Sequence, residues 1–441
     1  MSAVRAGRRV VITGVGVVSP LGSSPDDYWQ ALAEGRSGVV AHTPLDQTDL
    51  PLRIAGLATD FAGKIDDFGP LEGPRKKAIR KGLKVMCRET QMAVAAAQHA
   101  LADAGFGETP SEPEATGVVL GSDYMLSMPE DYKTAIAACT EGDAMDFQQW
   151  GGTGLGEMNP LWMLLYLPNM PASHIAIYND LRGPNNSLTM REASGLMAIG
   201  EAFRIVARGH ADRMVAGATG TRVMPMQAIH VMQTDQLAHP ATDGEAGPAT
   251  ACRPFDLGRT GMVAGEGSGM VVVEDAESAA ARGAKVYGEV VGFGASQVCD
   301  RSLNGQNDVA LANAMTAALR DGGVAAREIG HVNAHGLATT DSDKQEAKAI
   351  AAVFGEDSPP VVAPKSNFGN LGAGSGVVEL VASLLALEHG ALPRVLNYET
   401  PDPECPVNAV TADGVSPGNS LLAVSATPQG QAAALCVAAA K

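Results

Sequence analysis

The chain is 441 residues long and 45% hydrophobic, enough for a large buried core, and its length alone suggests about two or three domains. A formal net charge of −17 argues against nucleic acid or an anionic membrane as partner, because both require a basic footprint. Six cysteines, Cys87, Cys139, Cys252, Cys299, Cys405 and Cys436, show neither C-x-x-C nor metal-like spacing, so no zinc site or disulfide framework is indicated and a reducing cytoplasm is the expected setting.

The N-terminus carries positive charge ahead of an apolar run, as a signal peptide does, but the run is short, glycine-broken and β-branched. Arg9 to Leu21, RVVITGVGVVSPL, therefore reads as a buried strand with a Gly-rich turn, and Ser24 to Leu32 as a helix behind Pro25-Asp26-Asp27. The GxG is discounted as a dinucleotide fingerprint, since no GxGxxG is completed and no helix starts at the glycines. Arg75 to Lys84, RKKAIRKGLK, is the densest basic run, either a docking patch for an acidic carrier or a solvated helix face. A helix follows over Glu89 to Gly105, then a buried strand over Ala115 to Leu120 ending at Gly121-Ser122-Asp123. From Tyr124 to Met170 the chain is rich in methionine and large apolar residues, which usually fill a core.

Pro184 to Gly200, PNNSLTMREASGLMAIG, reads as a short strand (Ser187 to Met190) running into a helix, with Glu192 at the join. A sharp strand-to-helix turn displays a side chain where the N–H groups of the new helix point at whatever it meets. Further strands are expected at Arg213 to Gly217 and in Met262 to Glu274, separated by a loop-rich passage to Phe255. Lys285 to Gly294 opens a second round of the pattern, with a helix (Asp308 to Leu319), a strand (Ile329 to Asn333) and a helix (Asp343 to Phe354). His335 follows that last strand and precedes a glycine, and a loop-borne histidine there is placed for chemistry. Lys365 and Asn370 bracket a Gly-rich loop before the apolar helix Val377 to Leu387. No stretch reaches the roughly 18 apolar residues that a membrane span needs.

VVITGVGVVSPLG, the Pro184 to Gly200 segment with its continuation EAFRIVARGHADRMVAGA, HVNAHGLATTDSD and PKSNFGNLGAGSG together resemble the β-ketoacyl-ACP synthases, over nearly the whole chain. The resemblance implies an α/β thiolase fold, five-layered α/β/α/β/α from two similar halves, residues 1–275 and 276–441, forming one compact unit. It implies that the site is assembled from Glu192, His335, Asn370 and Lys365, with Asp343 and Glu346 at the family's downstream acid. It also implies where the chemistry has gone. The family's acyl-accepting cysteine is Glu192 here, its second histidine is Asn370, and the first threonine of its HGTxT motif is Leu337. The family's GFGGTN gate falls on Thr427 to Ala432, without the paired glycines or the phenylalanine.

A carboxylate is a far weaker acyl acceptor than a thiolate, and losing one donor where negative charge develops is worth about 2.7–4 kcal/mol. No standalone condensation is expected. The chain is most similar to a chain-length factor, the cysteine-less subunit that pairs with an active ketosynthase as a heterodimer, through the strand around Asn186 to Met190, and shapes the acyl tunnel. Asp123, Met125, Met163 and Pro428 are the expected tunnel residues, with the Met-rich segment as apolar wall. No metal or resident cofactor is expected, substrates arriving on the phosphopantetheine of acyl carrier protein. The alternatives are a malonyl-ACP decarboxylase or acyltransferase using His335 and Glu192, and a carrier-protein-binding scaffold. Glu192 itself is inert, a block on the acylation site, or an aid to decarboxylation. Arg191, His335 and Lys365 are its candidate partners, and a helix N-terminus favours its charge by about 0.3–1 kcal/mol.

Overall fold

A computed structural model describes residues 7–42, 52–107, 112–238 and 247–440. Ten strands make one sheet: β1 (Val10–Val18), β2 (Thr116–Ser122), β3 (Asn185–Thr189), β4 (Arg213–Thr221), β5 (Glu266–Asp275), β6 (Gly288–Gln297), β7 (His331–Asn333), β8 (Val361–Val362), β9 (Ser420–Ala426) and β10 (Gln431–Ala439). The helices that position the site are α1 (Arg88–Asp103), α2 (Ser194–Ala207), α3 (Pro225–Thr234), α4 (Asn307–Gly322), α5 (Thr340–Phe354) and α6 (Ser375–His389).

The strand order is β8-β7-β9-β10-β6-β1-β5-β4-β2-β3. Each set of five strands repeats one arrangement. β1 and β6 lie antiparallel to the last strand of their own set, β5 and β10, and these lie antiparallel to β4 and β9. β2 and β7 then run parallel to their neighbours on both sides. β1 and β6 meet at Val10 to Ile12 against Val290 to Gly288, which folds the sheet into two layers. Helices α2 and α6 lie between the layers, α1 covers the outer face of the first, and α4 and α5 cover the second. This is the five-layered thiolase arrangement.

The local sequence explains the layers. β1, β4 and β5 are buried at every residue, as strands covered on both faces must be. α6 is buried from Ser375 to Ala386, and an all-round apolar helix belongs inside a core. The GxG of β1 is a packing device. A Cβ at Gly14 would lie 2.3 Å from the Ala100 carbonyl oxygen, and one at Gly16 2.1 Å from that of Ala96, so the glycines let Ala-rich α1 rest directly on the strand.

Several expectations change. β9 and β10 were not expected, and α3 occupies part of the passage read as loop. The Met-rich segment is a surface excursion with a helix (Pro129–Ala138), a short ladder of Thr140–Glu141 with Ala144–Met145, and a helix (Trp162–Tyr166). Met125 and Met158 are buried, but Phe147 is 78% exposed, Leu155 51%, Leu161 50% and Met163 52%. The basic run falls largely on the helix Gly73–Gly82, of which Ile79 is the buried residue, and Lys76 is paired with Asp66. No helix among the described residues is long and apolar enough to cross a membrane.

Candidate active site and its family

The chain turns sharply after β3. Arg191 adopts a left-handed φ of +48°, unusual for a non-glycine residue. A single turn, Arg191–Ala193, then leads into α2. Side chains remote from the chemistry fix this backbone. Ser194 Oγ accepts the Met190 N–H (2.7 Å) and donates to the Ser122 carbonyl (3.3 Å), and Ser425 Oγ, on β9, donates to the Glu192 carbonyl (2.7 Å).

The Glu192 side chain points inward and is 1% exposed. Its Oε1 accepts from Arg222 Nη2 (2.8 Å) and Asn370 Nδ2 (3.1 Å), and its Oε2 lies 3.4 Å from Arg191 Nε. Arg222 follows β4 and is wholly buried; Nη2 also lies 2.8 Å from Asp123 Oδ2, and Nη1 donates to the Tyr124 hydroxyl (2.7 Å). That hydroxyl is 2.5 Å from His230 Nδ1, and Arg191 is paired with Asp235 (3.2 Å). Burial alone would raise the Glu192 pKa, but the Arg222 and Arg191 guanidiniums outweigh it and hold the carboxyl well below the usual range. Burial dominates at Asp123, whose pKa stays raised despite Arg222.

Of the expected partners of Glu192, Arg191 reaches it. Lys365 is committed elsewhere: Nζ lies 2.5 Å from Glu379 Oε1 and donates to the His335 carbonyl (2.7 Å). His335 Nδ1 is 3.4 Å from that ammonium, and burial, reinforced by Lys365, pushes the imidazole pKa well below 6.5, so the ring is neutral. Glu346 accepts the N–H groups of His335 (2.6 Å) and Gly336 (2.8 Å), and Asp343 those of Ala338 (3.0 Å) and Phe255 (2.8 Å). Both acids shape the histidine loop. Asn370 Oδ1 accepts from the Gly372 N–H and Ser375 Oγ, both at 3.1 Å, which turns its NH2 toward Glu192.

A cleft of about 270 Å³ leads in from the surface to His335 and Leu337, between Asp235, Asn307, Gln345 and Pro428. Glu192, Asn370 and Arg222 are not among its walls. Of the four expected tunnel residues, Pro428 stands at this cleft and Asp123 is tied into the ion cluster. Met125 packs on Cys87, with 3.8 Å between the sulfurs. Met163 lies half-exposed on the surface excursion. Arg222 and Tyr124 were missed. The one available signal was an arginine closing the buried run RMVAGATGT.

Two family descriptions match this chain: the β-ketoacyl synthase N-terminal domain over residues 7–279, and the β-ketoacyl synthase C-terminal domain over residues 287–399. The chain belongs to the β-ketoacyl synthase family. It is 33% identical over 409 residues to 3-oxoacyl-[acyl-carrier-protein] synthase 2 of Synechocystis sp., and 34% identical over 411 residues to that of Coxiella burnetii, in each case covering 91% of both chains. Among solved structures, a β-ketoacyl synthase from Burkholderia phymatum STM815 superposes with a TM-score of 0.83 at 29% identity, covering 98% of this chain and all of that one. The ishigamide ketosynthase/chain length factor does so with a TM-score of 0.81 at 28% identity, covering 99% of this chain and all of that one.

Proposed function

We propose that this chain is a chain-length factor: a subunit without condensing activity that pairs with an active β-ketoacyl-ACP synthase and shapes the tunnel in which that partner's chain grows. The observation that carries the reading is the buried Glu192–Arg222 contact at the elbow. An ionised carboxylate hydrogen-bonded through one oxygen by a guanidinium and an amide, with a second guanidinium 3.4 Å from the other oxygen, is a poor acyl acceptor.

The same charge disfavours the decarboxylase reading. Releasing carbon dioxide from a malonyl thioester leaves an enolate, and Glu192 would hold a second negative charge beside it. Asn370 gives its NH2 to Glu192 instead of to a developing oxyanion. Pairing is favoured by the surface: Leu161, Met163, Leu164 and Ile177 are exposed, and β3 is an edge strand. Acyl carrier protein would then deliver its phosphopantetheine-bound units to the partner's cysteine.

The test is co-expression with a synthase that retains its cysteine and both histidines. A 1:1 complex that elongates malonyl-ACP, together with an isolated chain that is inert, is the expected result. Elongation by the isolated chain, or carbon dioxide release from malonyl-ACP that disappears on His335→Ala, would overturn the assignment.

A further inference from the structure

Resting on that reading, we propose that Arg222, together with Glu192 and Asp123, is a plug that closes this protomer's interior to acyl chains, so that the growing chain lies on the partner's side of the pair. Three observations converge on it. The first is occupancy. Arg222 is wholly buried and reaches into the ground between the elbow and the Gly-rich loop, where its Nη2 meets both carboxylates at 2.8 Å and its Nη1 meets Tyr124.

The second is packing density. Gly372 passes the cluster at φ +60°, and a Cβ there would lie 2.8 Å from Asp123 Oδ2 and 3.1 Å from Arg222 Nε. There is no width for a methylene between the loop and the ion pairs. The third is access. A cleft open to the surface reaches His335 and Leu337, and neither Glu192 nor Arg222 is among its walls.

The physical chemistry makes this closure firm. An acyl chain entering here would have to push a guanidinium off two carboxylates and leave unpaired charge against hydrocarbon, the arrangement a protein interior tolerates least. A merely apolar plug would yield by rotamer changes. An ion cluster held at both ends by Tyr124 and Asn370 does not.

The experiment compares two triple variants of the full chain, alone and with the partner synthase. Asp123→Ala with Glu192→Ala and Arg222→Ala removes both volume and charge. Asp123→Asn with Glu192→Gln and Arg222→Met removes charge but keeps volume. Dodecanoyl-pantetheine is the probe. The emptied variant is expected to bind it roughly tenfold or more tighter than wild type, the gain from burying about two methylenes. The filled variant is expected to bind the probe more tightly than wild type but clearly less tightly than the emptied one, because its volume remains while the charge that held it in place is gone. An emptied variant that keeps its circular dichroism and its 1:1 complex yet binds no more probe than wild type overturns the plug, as does a filled variant that binds as well as the emptied one. Should the emptied variant not fold, a diazirine-bearing acyl-pantetheine is photolysed on the wild-type complex. Crosslinks confined to the partner support the plug, and crosslinks at Asp123, Tyr124 or Arg222 overturn it. Probe uptake by the isolated chain needs no partner, so a failure to form the complex sinks the pairing assignment without touching this result.

Discussion

Arg222 Nη2 stands 2.8 Å from Glu192 Oε1, with both side chains at most 1% exposed. Removing this cation leaves Glu192 and Asp123 with only the more distant Arg191, 3.4 Å from Glu192 Oε2, to offset their charge, whereas removing one carboxylate leaves Arg222 still paired. Arg222→Ala is therefore expected to cost about 3–5 kcal/mol, and Glu192→Gln distinctly less. Urea denaturation monitored by circular dichroism measures both. Equal losses for the two variants would show that the cluster is not organised around the arginine.

Glu89 gives a pH signature. It is buried at the start of α1, where its Oε1 accepts from Gln227 Nε2 (3.1 Å), and burial raises its pKa from 4.5 to about 7. Between those values the unfolded chain has lost this proton and the folded chain has kept it. Stability from this group therefore falls as pH rises through the window, and the loss is complete above about 7. Glu89→Gln removes that slope and is expected to be more stable than wild type at pH 8 by on the order of 3 kcal/mol, with no gain at pH 4. Thermal melts at the two pH values decide it, and a gain that does not depend on pH refutes the titration.

Gly372 is the tightest passage beside the cluster. Gly372→Ala combines a left-handed φ with a Cβ pressed on Asp123, so a loss of about 1–3 kcal/mol is expected from the backbone term alone. Gly142 has a similar φ of +59° but nothing within 4 Å of its Cβ, which makes it the control. The difference between the two alanine variants in differential scanning calorimetry isolates the crowding.

The exposed apolar band tests the partner assignment. Leu161→Glu with Met163→Glu is expected to leave the melting temperature of the isolated chain within a degree or so, because both side chains are about half exposed. It is expected to abolish co-purification with the synthase. Retention of a full 1:1 complex by this variant would place the interface elsewhere.

What could be read without coordinates follows from how locally each feature is encoded. β1 and β2 are short runs of β-branched and apolar residues with glycines, α1 and α6 are Ala- or Leu-rich stretches each followed within two residues by a glycine, and the elbow at Glu192 combines a short strand, a turn and a small-residue helix in one stretch. β9 and β10 escaped because SLLAVSA and QAAALCVAA are rich in alanine, a poor strand former. They are strands because neighbouring ladders pair them. α3 opens with a proline and carries a mixed Met, Gln and His face, so it lacked a clean helical stripe. Arg222 was illegible for a different reason. Its meaning depends on Asp123, Tyr124 and Glu192, brought to it from the ends of β2 and β3, and no spacing along the chain announces that meeting.

The Ser425 hydroxyl donates to the carbonyl of residue 192 and does not touch its side chain, and the Ser194 hydroxyl oxygen accepts the N–H of Met190. The bend is thus braced from the second half of the molecule without reference to what it carries. Such a mount can exchange its tool by single codon changes while the surrounding scaffold goes on folding as before.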